Sequence, residues 1–458
     1  MPSMQSALVV LGSSGAVVPA HRDNTALALR LSSGRNGVSA LHGAVSRRLW
    51  QAVWPETPAP EVPIRAITNG VHTESWLAPE LAALYDQYLG DDWRERLEQP
   101  QTWEKVIAIP DPVLWEAHRQ LKRRMIDAIR ARIQRQRARH GESRARLAAA
   151  ADLLDPDALT IGFARRFATY KRATLLLQDR QRLRSLLTRP ERPVQILFAG
   201  KAHPADEDGK RLIQRVYQLA QDPEFQGRII FVEDYDMNLA RYLVQGVDLW
   251  LNTPRRPNEA SGTSGQKASL NGVPTCSSSD GWWPEAYNGR NGWIFGETRE
   301  FSDPGVQDEV DSLDLYRVLE EEIVPLFFER DEEGIPHGWV RVMKEALQTI
   351  TPVFSTRRMV EEYVQHLYLP AAERWRLMTQ DGYARGQRLA AWRARAAAAW
   401  PKIALRVQGP AEAAVSLGQT IAVNADVALD GLAPDDVIVE LVYGRQAEGE
   451  LTELQAAP

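Results

Sequence analysis

The sequence predicts an α/β fold: a doubly wound parallel sheet with a small β-rich unit at the C-terminal end. Three observations carry this. Between residues 160 and 252, short apolar runs (160–164, 194–199, 228–233 and 247–252) alternate with helix-length stretches. Runs of that length with no polar face read as strands covered on both sides, and strands alternating with helices read as parallel crossovers. Secondly, the chemically unusual residues follow the strands. Arg165, Arg166, Tyr170 and Lys171 come after the first, Gly200 and Lys201 after the second, and residues 259–267 after the fourth. Sheets of this class bind ligands at the carboxyl ends of their strands. Thirdly, past Pro401 the pattern turns β-rich, with candidate strands at 403–407, 420–427 and 437–442.

Taken in order, residues 1–23 show no readable period. Residues 24–32 fit a buried helix. A second helix opens near Asn36 or Ser39 and carries Trp50 and Trp54 on one face, until Pro55, Pro58, Pro60 and Pro63 end it. Residues 64–67 suggest a short strand followed by a turn, and 77–93 a helix. Residues 113–151 predict a long basic helix whose cluster at Lys122, Arg123 and Arg124 is expected to be a solvated face. Helices are expected over 172–187, over 207–221 and from near Asp236. From 308 to 399 the chain is expected to be mostly helical, with a capped start after Phe354.

Composition bounds the function. A chain of 458 residues implies two or three domains. Hydrophobic content of 44% and charged content of 25% are those of a globular protein. A net charge of −5 gives no reason to expect nucleic acid or an anionic membrane as partner. The single cysteine, Cys276, excludes an intrachain disulfide, fits a reducing, cytoplasmic compartment, and is expected to be a buried, inert thiol. No apolar run is long enough to span a bilayer. Most of the 14 tryptophans are expected in the core, Trp282 and Trp283 among them.

The stretch at 259–267 reads Glu-Ala-Ser-Gly-Thr-Ser-Gly-Gln-Lys. Gly262 and Gly265 bracket Thr263 and Ser264. A helix starting near Gly262 would aim free N–H groups at an anion, and would place Thr263 and Lys267 on one face. Alone, such a loop would be a solvent-exposed turn, and Arg165 and Arg166 a pair of surface salt bridges. Beside Tyr170 and Lys171 after a strand, they point to a site instead. Lys201 stands between a strand-end salt bridge and a site charge. Asp236, His42 and His203 are expected to cap or pack. No dinucleotide fingerprint and no Walker A sequence is present.

Four segments, 163–172, 198–204, 254–267 and 280–285, together resemble the α-glucan phosphorylases, the glycogen, starch and maltodextrin phosphorylase family, in its bacterial and archaeal branch. The resemblance runs from about Asn24 to the end. It implies the Rossmann-like C-terminal half of a two-domain glycosyltransferase fold, with the site between domains. It implies phosphorolysis of terminal α-1,4-linked glucose by inorganic phosphate, giving glucose 1-phosphate, with pyridoxal 5'-phosphate held as a Schiff base and its phosphate group in the acid–base role. Lys267 matches the Schiff-base lysine, and Glu259 the carboxylate on the glucose hydroxyls. Ser261 and Gly262 match the sugar-contacting turn, and Gly262, Thr263 and Ser264 the helix start near the cofactor phosphate. Arg166 and Lys171 match the ligands of the substrate phosphate, and Arg165 a basic residue near the cofactor phosphate. Tyr170 and Asn69 match sugar contacts. Implied partners are an α-1,4-glucan and inorganic phosphate, with a homo-oligomer among the allowed states.

Two departures stand out. Gln266 replaces the family's usual methionine, and most of the family's N-terminal domain has no counterpart. On that basis residues 1–66 are expected to be the remnant of that domain, 67–400 the catalytic domain and 401–458 the small β unit. The chain is expected to be a truncated or mis-started reading frame with little turnover alone. Two alternatives are a nucleotide-sugar glycosyltransferase of the same architecture, against which Lys267 argues, and a non-catalytic glucan-binding fragment.

Overall fold

The computed structural model describes residues 24–55, 57–408, 423–447 and 450–457. The central sheet has six strands: β1 (Leu159–Ala164), β2 (Val194–Ala199), β3 (Ile229–Val232), β4 (Leu249–Asn252), β5 (Thr275–Ser278) and β6 (Gly292–Phe295). All pair in parallel, in the order β3-β2-β1-β4-β5-β6. This is the doubly wound order, and it reverses direction between β1 and β4, which opens a crevice at their carboxyl ends.

The apolar strand sequences follow from burial on both faces. Leu159, Ile161 and Phe163 join one core with Ile196, Phe198, Ile229, Phe231, Leu249 and Leu251. Their neighbours Ala164, Leu197, Ala199, Ile230, Val232 and Trp250 join a second core. The period of two along each strand thus feeds two cores. The helices covering the first core are α1 (Pro79–Tyr88), α3 (Arg180–Leu187), α4 (Glu207–Gln221), α7 (Pro304–Arg317) and α8 (His337–Ile350). The second is covered by α2 (Asp111–Arg139), through Met125, Ile129 and Ile133, and by α5 (Met237–Gly246), through Leu239 and Leu243. Each such aliphatic side chain contributes roughly 1.5–3 kcal/mol by leaving water.

By compactness the chain forms two units. One holds Asn36–Val45 and Arg65–Val364, and so contains the whole sheet. The other holds the described residues up to Arg35, Ser46–Ile64 and those from Gln365 onward. In that second unit, helix Asn24–Leu31 sets Ala26 and Leu29 against Val53, Trp54, Val62 and Ile64. It buries none of its residues fully, which corrects the expectation of a buried helix; Leu27 and Leu31 are exposed. A long helix, Leu369–Ala399, breaks at residues 380–383. Two antiparallel pairs follow, Ala404–Gln408 with Asn424–Ala428 and Leu441–Ala447 with Glu450–Ala457. Residues 420–422 of the expected second strand lie outside the described residues, as do residues 1–23.

Other differences have local causes. Residues 36–37 form a two-residue strand paired with Arg65–Ala66, so the second helix starts at Ala40, where the Ser39 hydroxyl accepts the His42 N–H at 3.0 Å. Helix α2 stops at Arg139, where the Glu142 N–H returns to the Arg137 carbonyl around Gly141. Lys122 on α2 is buried rather than solvated. The helix expected from residue 172 begins only at Arg180, because Arg172 is recruited into a buried ion pair. Capping by Asp236 and the burial of Trp282, Trp283 and Cys276 are as expected. Among the described residues, no helix is long and apolar enough to cross a membrane.

Candidate active site

The site is built from the loops after β1 and β4, the two strands flanking the reversal of strand order. Arg165 leaves β1 with its N–H bonded to the Ala199 carbonyl at the end of β2 (3.1 Å). Its side chain is buried, and Nη2 donates to Glu259 Oε2 at 2.5 Å. A tight turn, Thr169–Lys171, then delivers Lys171, whose Nζ donates to the same oxygen at 2.6 Å. The Lys171 ammonium also lies 4.8 Å from the centre of the Tyr170 ring.

Two loops so far apart in sequence need a tie, and Arg172 supplies it. Its Nε and Nη2 donate to the carbonyls of Thr253 and Pro254, each at 2.8 Å, while Nη1 meets Asp311 at 2.7 Å and Asp308 at 3.0 Å on α7. The Thr253 hydroxyl donates back to the Lys171 carbonyl at 2.8 Å, and the Arg255 N–H to the Tyr170 carbonyl at 2.7 Å.

Glu259 therefore sits buried between two cations. Burial alone would push its carboxyl up; the charges of Arg165 and Lys171 outweigh that and hold it below the ordinary carboxylate range. The charge balance remains positive. Arg165 keeps Nε and Nη1 buried with no partner among the described residues, as does the Ser261 hydroxyl. Buried donors left over in this way suit an anionic, hydroxyl-bearing ligand.

Gly262 turns the chain at φ +85°. A Cβ there would lie 3.3 Å from Glu259 Cγ, against the site. Helix α6 (Ser264–Ser269) follows, with Thr263 as its N-cap residue. The helix thus starts at Ser264, two residues past Gly262, and the Lys267 N–H bonds the Thr263 carbonyl at 3.2 Å. Lys267 is half-buried, with Nζ 4.0 Å from the centre of the Trp76 indole, and burial lowers its ammonium pKa. Gln266 Nε2 donates to the Asn69 carbonyl at 3.0 Å, which sets Asn69 beside this helix.

Of the residues expected from sequence, Arg165, Lys171 and Glu259 are in direct contact, with Tyr170 and Gly262 against them. Ser261, Thr263, Ser264 and Lys267 follow on the same loop and helix, and Asn69 is tied to it through Gln266. Arg166 is exposed, and Arg165 is the arginine that reaches Glu259. Lys201 is exposed as well. Three residues complete the arrangement in roles the sequence did not show, Arg172 and Asp280 inside recognised segments and Trp76 outside them. Arg172 and Trp76 act through tertiary contacts, and Asp280 has a role visible only in its hydrogen bonds.

A family model described as carbohydrate phosphorylase matches residues 21–320, and one described as the glycogen phosphorylase C-terminal domain matches residues 400–458. The chain belongs to the carbohydrate phosphorylase family. All the site residues named above lie within the first match. A maltodextrin phosphorylase from Thermococcus litoralis is 44% identical over 93% of this chain and 49% of its own length. A glycogen phosphorylase from Aquifex aeolicus is 46% identical over 76% of this chain and 49% of its own. One from Mycobacterium tuberculosis is 41% identical over 94% and 50%. The chain thus spans about half the length of these curated phosphorylase relatives.

Proposed function

We propose that this chain carries the phosphate- and sugar-binding half of an α-1,4-glucan phosphorylase. It would act on a glycogen- or maltodextrin-type glucan with inorganic phosphate and release glucose 1-phosphate, with pyridoxal 5'-phosphate held by Lys267. The observation that carries the reading is the buried Glu259 carboxylate shared by Arg165 and Lys171 at the reversal of strand order.

The residues fit the cofactor. An amine whose ammonium is disfavoured by burial is the form that reacts with an aldehyde. The unpartnered Nε and Nη1 of Arg165 suit a phosphate group. In this reading Lys267, Arg165, Gly262, Thr263 and Ser264 hold the cofactor. When bound, its phosphate group supplies acid–base function to the substrate phosphate. The chain's own residues do the rest. Lys171, with Arg166 in the family's pattern, holds the substrate phosphate. Glu259, Ser261, Gly262, Tyr170 and Asn69 orient the terminal glucose. Because Lys171 and Glu259 are buried, their charges act through protein rather than water, which strengthens them where transition-state charge develops. A lone, buried cysteine fits a cytoplasmic setting.

The test is reductive trapping. The protein is incubated with pyridoxal 5'-phosphate, reduced with borohydride and mapped by peptide mass. The expected result is a pyridoxyl label on Lys267, abolished by Lys267→Ala. Label confined to other lysines, or no label, overturns the assignment.

A further inference from the structure

The turn after β5 grips the Glu259 loop from beneath. Asp280 is buried, and its Oδ2 accepts the backbone N–H of Glu259 at 2.9 Å while Oδ1 accepts that of Gly281 at 2.8 Å. The Trp282 N–H donates to the Ser261 carbonyl at 2.9 Å. Between them Gly281 sits at φ +62°, and a Cβ there would fall 2.3 Å from the Ser261 carbonyl oxygen. Only glycine permits so close an approach of two backbones. The turn thus holds residues 259–261 by their peptides, at both ends. Arg165 and Lys171 hold Glu259 by its carboxylate.

We propose that Asp280 is a positioning residue for Glu259: as a carboxylate it fixes the Glu259 peptide, and when protonated it releases it. An ionised carboxylate offers acceptors to both N–H groups, and each bond is charge-assisted. Protonation at Oδ2 sets a donor against the Glu259 N–H and that bond is lost, while Oδ1 keeps the N–H of Gly281, the next residue in the chain. The surroundings make this accessible near neutrality. Burial pushes the Asp280 carboxyl up to about 7; the two backbone N–H groups oppose the rise, the Glu259 charge adds to it, and the Arg256 guanidinium opposes it again. These are the charged groups facing Asp280, with Arg165 and Lys171 standing behind Glu259. The expected consequence, weaker sugar binding once the Glu259 peptide is released, rests on the function proposed above; the grip on the peptide does not.

The test is amide hydrogen exchange at Glu259, resolved by fragmentation mass spectrometry, in the wild-type chain and in Asp280→Asn. At pH 8.5 the Glu259 amide, corrected for its intrinsic rate, is expected to exchange about tenfold or more slowly in the wild type than in the variant. At pH 6 the ratio is expected to fall towards one. Equal exchange at pH 8.5 overturns the positioning role, and a ratio unchanged at pH 6 overturns the release. If Asp280→Asn does not fold, the wild type alone decides, through the presence or absence of that pH dependence. Calorimetric titration with glucose, a neutral probe, separates the two readings. Weaker glucose binding by the variant at pH 8.5 supports both. An exchange difference without any glucose binding upholds Asp280 and removes Glu259 from sugar recognition. Equal exchange with equal glucose binding does the reverse.

Discussion

The two ends of the parallel sheet each bury a carboxylate against two basic side chains. At the amino end Asp248, just before β4, accepts His118 Nε2 at 2.8 Å, Lys122 Nζ at 2.6 Å and the Thr160 N–H at 2.7 Å. Lys122 spends a further proton on the Ala158 carbonyl at 2.6 Å. At the carboxyl end Glu259 takes Arg165 and Lys171 on one oxygen, and Arg165 keeps two buried nitrogens without a partner among the described residues. The amino-end cluster is close to closed: both carboxylate oxygens are bonded, the ammonium makes two hydrogen bonds, and among the described residues of the cluster only His118 Nδ1 is buried without a partner. The carboxyl-end cluster is open and carries surplus positive charge. Burial alone does not separate a structural network from a binding one; the count of unanswered donors does.

The sharpest way to break this contrast is to remove the anion at the closed end. Asp248→Asn leaves the Lys122 ammonium buried without a countercharge, and is expected to cost about 3–5 kcal/mol in denaturant unfolding. A loss below about 1 kcal/mol would mean that the amino end is no more structural than the carboxyl end.

A pH series is the next largest effect, because the carboxyls on the two sides respond with opposite sign. Burial would raise Asp248, but Lys122 and His118 outweigh it and hold it depressed. Its contribution is present above the unfolded-state pKa and is lost as pH falls through the folded value. Asp280 is raised to about 7, so the folded chain holds its proton more tightly than the unfolded chain does. That contribution is complete below the unfolded pKa of about 4 and is lost as pH rises through 7. The stability of Asp280→Asn relative to wild type should therefore improve by about 2–3 kcal/mol between pH 5 and pH 8. A flat difference across that range would place Asp280 with the ordinary carboxyls.

The smallest stability effect is expected at the open end. Lys171→Met removes one of two cations from Glu259 and relieves surplus charge, so unfolding free energy should stay within about 1 kcal/mol of wild type. Affinity for inorganic phosphate, by calorimetry, should nonetheless fall about tenfold or more. Strong destabilisation with phosphate affinity intact would reverse the roles of the two ends.

The parallel sheet was legible because β1 and β2 are apolar but for Thr160 and Gln195, and α4 because its period is clean from Glu207 to Gln221. Strand β5, Thr275–Ser278, was not, since a Thr-Cys-Ser-Ser run shows neither alternation nor bulk, and its burial comes from the neighbours it meets. Strand β6, though bulky, is only four residues opened by glycine, too short a run to read as a strand. At the site, residue types and their order after strands pointed to Lys171, Glu259 and Lys267. Which of two adjacent arginines turns inward was not readable, because leaving β1 fixes that direction through one backbone bond to Ala199. The tying role of Arg172 was unreadable for a related reason: its partners at 253, 254, 308 and 311 lie far along the chain.

The Arg172 tie also bears on how the site could be moved to another scaffold. It fastens the loop bearing Lys171, the loop leading to Glu259 and the start of α7 into one piece. Neither loop can be lengthened, exchanged or borrowed singly without unfastening the other. The transplantable unit is the triple of two loops and a helix, drawn from three separate parts of the sequence, and it would have to travel together.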